Sequence, residues 1–318
     1  MSAAKDDPHM RRFVIDTDTA SDDAVALVMA LRYPGVQVEA ITVVAGNVPV
    51  DQGVQNALYT LELCGSRVPV YRGAERPLVR PLDTAQVVHG QDGMGDLGLP
   101  LSGRQPAPGH GVDKLVEIIN RFAGEIILVT LGPLTNVALA LRQDPSLAGK
   151  VSRCYTMGGV GDGRGNVTPV SEYNIWADPD AAQIVFRSGM SVTMVGWDIS
   201  YKYAVFDESD VRAFKGIGTP LAAFCMDIQS TVNQFSLQET KLAGFDLPDP
   251  ITMAVALDPT TALRTERLYV EVETRDGLVR GQTIVDHAGL TGLPPNIDVV
   301  LEASRQRFLE ILTAVVQP

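Results

Sequence analysis

The chain has 318 residues, 45% of them hydrophobic, with a net charge of −12 and three cysteines. That length suits one large α/β domain or two smaller ones, and the acidic balance without a basic stripe argues against DNA or RNA as a partner. No apolar run reaches bilayer-spanning length and Met1 to Arg12 lacks an apolar signal core, so a soluble, cytoplasmic protein without membrane partners is expected. Cys64, Cys154 and Cys225 lie far apart without metal-ligand spacing and read as reduced core residues.

Residues 1–11 are expected to be disordered, and the first element is the apolar strand Phe13-Val14-Ile15. It runs through Asp16-Thr17-Asp18-Thr19-Ala20-Ser21-Asp22-Asp23 into a buried helix, Ala24 to Leu31, which stops at Tyr33-Pro34-Gly35. Ser21 is the expected N-cap, which puts Asp22 and Asp23 in the first helical turn. Val38 to Val44 reads as a second strand ending at Ala45-Gly46-Asn47. A helix from about Asp51 to Leu63 closes on Gly65, and Val68 to Tyr71 is a third strand. This strand, helix, strand rhythm predicts a parallel sheet covered on both faces.

Between Gly73 and Gly111 the periodicity fails, and the stretch around His89-Gly90 and Gly93-Met94-Gly95 reads as a lid. Order returns with a helix at Val112 to Phe122, the strand Ile126 to Thr130, the turn Leu131-Gly132-Pro133 and a helix from Thr135-Asn136, with Asn136 as a cap. The strand Cys154 to Met157 opens into a Gly-rich run, Gly158 to Asn166, which lacks both the dinucleotide spacing and the P-loop Lys-Ser/Thr and is expected to form a flexible rim. Glu172 and Asn174 fall on one side if that segment is extended, and Asp178-Pro179 starts the next helix. Val192 to Val195 is a strand, and helical sequence covers Glu208 to Phe214 and Pro220 to Glu239. After the loop Gly244 to Pro250, a helix runs from Ile251 to Leu257. Leu268 to Glu273 and Gly281 to Val285 form a hairpin through Asp276-Gly277, and a final helix covers about Asp298 to Val315. No linker or repeat interrupts the chain, so one α/β domain is expected over 1–318. Its fold is an open, mostly parallel sheet with helices on both faces, a Rossmann-like core with extra helices and a C-terminal hairpin.

The chemistry gathers at the first strand-to-helix turn. Asp16, Asp18, Asp22 and Asp23 repel one another unless a proton, a cation or hydrogen-bond donors intervene. An oxygen-only donor set without Cys or His suits calcium or magnesium and not zinc.

Taken in order, Asp16 to Asp23, Val43 to Asn47, His89-Gly90 with Gly93-Met94-Gly95, Leu131-Gly132-Pro133-Leu134-Thr135-Asn136, Met157-Gly158-Gly159, Glu172-Tyr173-Asn174 and Asp249-Pro250 resemble the inosine-uridine-preferring nucleoside hydrolases. These are calcium-dependent enzymes that cleave the N-glycosidic bond of ribonucleosides to base and ribose, and the resemblance covers nearly the whole chain. It implies that Asp18, Asp23, the backbone carbonyl of Leu131 and Asp249 hold Ca²⁺, with Asp18 also the base for a metal-bound water and Asp16 supporting the ligands from behind. It further implies that Asp22, Asn47, Met157, Asn166, Glu172 and Asn174 bind the ribose or line its pocket, and that the protein is a homodimer or homotetramer. The departure is Pro248, where many relatives carry a histidine thought to protonate the leaving base; His89, Gln234 and Gln238 are the base-side residues that could stand in.

Two rivals remain. A haloacid-dehalogenase-type phosphatase also opens Asp-x-Asp after a strand, but it expects Thr or Val where this chain has Ala20, and the Asp22-Asp23 pair is foreign to it. A non-catalytic calcium-dependent nucleoside or ribose binder, or a hydrolase of another ribosyl compound, is the alternative that Pro248 keeps open.

Overall fold

The computed structural model describes residues 10–318. Eleven strands are found among them: β1 Arg11–Thr17, β2 Val36–Val43, β3 Val70–Arg72, β4 Ile126–Thr130, β5 Val151–Met157, β6 Val192–Val195, β7 Val205–Phe206, β8 Phe245–Asp246, β9 Ala262–Val272, β10 Thr283–Asp286 and β11 Ile297–Ala303. Nine form one sheet in the order β10-β9-β11-β6-β5-β4-β1-β2-β3, while β7 and β8 pair separately. Every pairing from β3 across to β11 is parallel; β9 is antiparallel to both β11 and β10.

The helices that matter to the site are α1 Ser21–Arg32, α2 Val50–Leu63, α3 Gln86–His89, α4 Gly111–Arg121, α5 Thr135–Gln143, α6 Tyr173–Ala177, α7 Pro179–Phe186, α8 Trp197–Tyr203, α9 Glu208–Lys215, α10 Pro220–Asp227, α11 Ser230–Phe235, α12 Pro248–Leu257 and α13 Arg305–Val316. Side chains alternate across the sheet, as a strand dictates. Phe13 and Ile15 of β1 join a core with α1, α2, α12 and α13, whereas Val14 joins a second core with α4, α5 and α7. Helix α1 is apolar nearly all round because it is covered by sheet on one side and by α12 and α13 on others.

The run β3-β2-β1-β4-β5-β6 is the strand order of a Rossmann-like sheet, and its order reverses between β1 and β4. The crevice at the carboxyl ends of those two strands is where such sheets bind ligands. Helix α12 brings its first turn to it, Pro248 and Asp249, and its far end is held by Arg11, whose guanidinium donates to the carbonyls of Ala256 and Leu257 at 3.1 and 2.5 Å.

Several elements differ from the sequence reading. Residues 1–9 lie outside the described residues, but Arg11, expected in a disordered tail, begins β1. Ile297–Ala303, expected from Asp298 on to belong to the last helix, is a strand: its apolar run is buried between β6 and β9, and a short apolar run does not reveal its period. The expected helix Pro220 to Glu239 is broken into α10, α11 and a π-helical turn, Ser236–Thr240, that ends on Lys241 at φ +59°. Helix α8 was not expected. The hairpin of β9 and β10 is present, and the three cysteines are free, Cys154 and Cys225 buried and Cys64 half-buried.

Candidate active site

β1 delivers Asp16 and Asp18 to the crevice, and α1 begins at once behind them. The turn between is tight: Thr19 sits at φ +33°, its N–H donating to Thr17 Oγ1 at 3.1 Å. A non-glycine residue held there is strained, which the surroundings must enforce. Thr17 donates to Asp23, and Asp23 in turn accepts from the Ala20 N–H at 2.8 Å. The cap position is therefore Ala20 and not Ser21 as expected: the early turn at Thr19 makes Ser21 the first helical residue, and its hydroxyl is used elsewhere. Asp22 and Asp23 do fall in the first turn.

Asp16 is fully buried, accepting from Thr42 and from Asn136 Nδ2. Asn136 is thus not a simple cap; it bridges Asp16 to the Ala74 N–H, which donates to its Oδ1 at 2.8 Å. Asp18 accepts from the Asn47 N–H through Oδ2 at 2.6 Å. Its backbone-side approach needs glycine: a Cβ on Gly46 would lie 2.1 Å from Asp18 Oδ2 and 2.8 Å from Pro133. Burial pushes the Asp16 and Asp23 carboxyls up to about 7, in the second case with help from Asp22. Asp18 and Asp249 are driven well above the ordinary range by burial and by the charges of their neighbours.

Oxygens of Asp22, Asp23 and Asp249 lie within 4.8 Å of one another. Asp18 stands outside that triplet, close enough for its charge to act on Asp249 and to feel Asp22 and Asp23. The Leu131 carbonyl, expected as a cation ligand, accepts from Asn174 Nδ2 at 2.9 Å. Four buried oxygens here have no hydrogen-bond partner: Asp16 Oδ2, Asp18 Oδ1, Asp22 Oδ1 and Asn174 Oδ1. An oxygen-only set of buried, mutually repelling carboxylates with unused lone pairs fits a hard divalent cation.

A cavity of about 400 Å³ opens from this cluster. Of the residues expected from sequence, Asp22, Asn47, Leu131, Met157, Asn166, Glu172, Asn174, Asp249 and His89 all line it, as does Pro248. Asp16, Asp18 and Asp23 lie fully buried behind the wall. Glu172 and Asn174 are not on an extended segment. Glu172 caps α6, its carboxylate accepting from the N–H groups of Gly159, Asn174 and Ile175, and burial raises it to about 7. Asn166 accepts from the Tyr173 N–H at 3.0 Å. The Gly-rich rim is pinned rather than loose over its first half: Thr283 bonds Val160, Asp198 accepts from Gly161 and Asp162, and His287 bonds the Gly161 carbonyl.

Gln234 and Gln238 are exposed and do not line the cavity, because the breaks after α10 and α11 rotate the segment. Their place is taken by Gln229, 1% exposed, with Val232 and Phe235. Tyr173, Trp176 and Trp197 add aromatic walls. Sequence reasoning missed most of these; the clustering of the aromatics beside Gly-rich turns was the available signal. His89 lies on α3, a short helix inside the stretch expected to be a lid.

The model of the family described as inosine-uridine preferring nucleoside hydrolase matches residues 13–310. A relative from Salmonella schwarzengrund, pyrimidine-specific ribonucleoside hydrolase RihA, is 38% identical over 94% of this chain and 96% of its own. A solved plant nucleoside hydrolase, the PpNRh1 enzyme, superposes with a TM-score of 0.90 at 32% identity, covering 97% of this chain and 99% of that one. A purine-preferring ribonucleoside hydrolase from Gardnerella vaginalis gives 0.88 at 31% identity over 96% and 98%. The chain belongs to the inosine-uridine preferring nucleoside hydrolase family and is an N-glycosyl hydrolase of ribonucleosides.

Proposed function

We propose that hydrolysis of the N-glycosidic bond depends on Ca²⁺ held by Asp18, Asp23, the Leu131 carbonyl and Asp249, with Asp18 as general base. The observation that carries this reading is the set of partnerless buried oxygens at the β1/β4 crevice. Bound there, the cation would supply the positive charge that keeps the aspartates ionised and polarises water and hydroxyl oxygens. Asp18 is oriented by the Asn47 N–H on one oxygen, leaving Oδ1 to take the proton of the attacking water. Asp22 Oδ1 and Asn174 Oδ1 are acceptors for ribose hydroxyls, flanked by Asn47 and Asn166. Asp16 steadies the cluster from behind. Glu172 holds Asn174 in place and adds negative charge near the developing oxocarbenium-like sugar, while Met157 shapes the pocket.

At the base end Pro248 offers no proton, and His89 is the one imidazole lining the cavity among the described residues. Base preference is open to either class, since the relatives above are named for both. The reading is tested by incubating the purified protein and calcium with inosine, adenosine, guanosine, uridine and cytidine, and measuring free base and ribose by chromatography. Release of both is expected. No release, with calcium and ribose binding intact, would favour a non-catalytic binder or a hydrolase of another ribosyl compound.

A further inference from the structure

Behind His89 runs a buried chain of hydrogen bonds whose direction can be worked out. Gln229 turns Nε2 toward two carbonyls, Ser21 at 2.9 Å and Cys225 at 3.4 Å. Only an amide donor can face carbonyls, so Oε1 must be the atom facing the Ser21 hydroxyl. Ser21 Oγ lies 2.9 Å from that Oε1, and its single hydrogen goes there. The same oxygen lies 3.1 Å from His89 Nδ1. With its hydrogen already committed, Ser21 can only accept, so Nδ1 carries a proton. Asp22 Oδ1, 3.8 Å from Nδ1 and lacking a hydrogen-bond partner, favours the same arrangement.

We propose that Gln229 and Ser21 are positioning residues that fix neutral His89 as its Nδ1–H tautomer, so that Nε2 accepts a hydrogen bond from an N–H of the substrate's base. This rests on His89 meeting the base. The ligand class that follows is a base with an N–H on the edge turned to α3, such as the ring N–H of a uracil or hypoxanthine. Burial of His89, which lowers its pKa, is compatible with a neutral ring. The reversed tautomer would present a donor instead, and would suit a carbonyl or ring nitrogen of the base. A serine and a glutamine far apart in the chain thus set the hydrogen-bonding sense of a residue that neither adjoins in sequence.

The test is a long-range proton–nitrogen correlation spectrum of protein labelled in its histidine rings. The chain has four histidines, and His89→Gln assigns the signals of interest. Wild-type protein should show a pyrrole-type Nδ1 and a pyridine-type Nε2. In Gln229→Leu the Ser21 hydrogen is no longer committed and can be donated to Nδ1, so the Nε2–H tautomer should gain population at the expense of Nδ1–H. Wild-type Nε2–H, or an unchanged pattern in folded Gln229→Leu, overturns the relay; if that variant does not fold, the wild-type spectrum decides alone. The donor match is tested with uridine against 3-methyluridine and inosine against 1-methylinosine. Methylation should cost about tenfold in kcat/KM in the wild type and far less in Gln229→Leu. An equal cost in both proteins overturns it, marking the methyl as a steric effect. If no nucleoside releases its base, the catalytic reading fails while the spectrum still decides the tautomer.

Discussion

The two ends of the cavity are built differently. The end proposed to hold the sugar is made of strand ends and helix starts: Asp16 at the end of β1 and Asp18 just past it, Asn47 after β2, Leu131 after β4, Met157 at the end of β5, Asp249 in the first turn of α12. The parallel sheet dictates where those points lie, and neighbouring pairings hold them. The opposite end, proposed to hold the base, is made of α3, the Trp176 end of α6, α11 and a π-helical turn, short pieces whose positions depend on side-chain bonds. On the proposed reading, chemistry that must not move is placed on the sheet, and discrimination between bases is left to parts that can be exchanged without disturbing it.

The contrast is sharpest if substitutions at the sugar end abolish turnover and those at the base end alter binding. Asp18→Asn should lower kcat by about 10²- to 10⁴-fold in a base-release assay while ribose binding, followed by calorimetry, largely survives. Near-wild-type turnover would refute the base assignment. Chelation should remove activity and added calcium restore it; full activity in a sample verified as metal-free would eliminate the metal role. At the other end, Phe235→Ala removes an aromatic wall and should raise KM about tenfold with kcat little changed. A fall in kcat equal to that of Asp18→Asn would dissolve the distinction between the ends. Smallest of all, Gln234→Ala and Gln238→Ala should leave kcat/KM within about twofold, since both side chains are exposed.

The same division decided what could be read from the chain. The acid-rich turn was legible because a strand end and a helix start announce themselves through apolar runs and punctuation, whereas Asn47, Leu131 and Asp249 were singled out only through the family resemblance of the motifs around them. Gln229 was not, because its role comes from meeting Ser21 across 208 residues of sequence. Ser21 itself was misread as a cap, since the backbone turn at Thr19 displaces it, and that turn is held partly from afar by Asn56 Nδ2, which donates to the Thr19 carbonyl at 2.9 Å. β11 was hidden for a related reason: buried on both faces, its apolar residues lose the alternation that marks a half-exposed strand.

Arg11 joins the amino end of β1 to the carboxyl end of α12, where the guanidinium also suits the negative end of the helix dipole. Asp18 and Asp249 ride at the opposite ends of these two rods, roughly 15 Å away along a ten-residue helix. The spacing of the acids is therefore gauged from a clamp at the far side of the sheet. If the crevice binds a cation as proposed, a lineage that loosened this clamp would lose affinity for it while every residue of the crevice stayed the same, so Arg11 belongs to the site as fully as the aspartates that follow it.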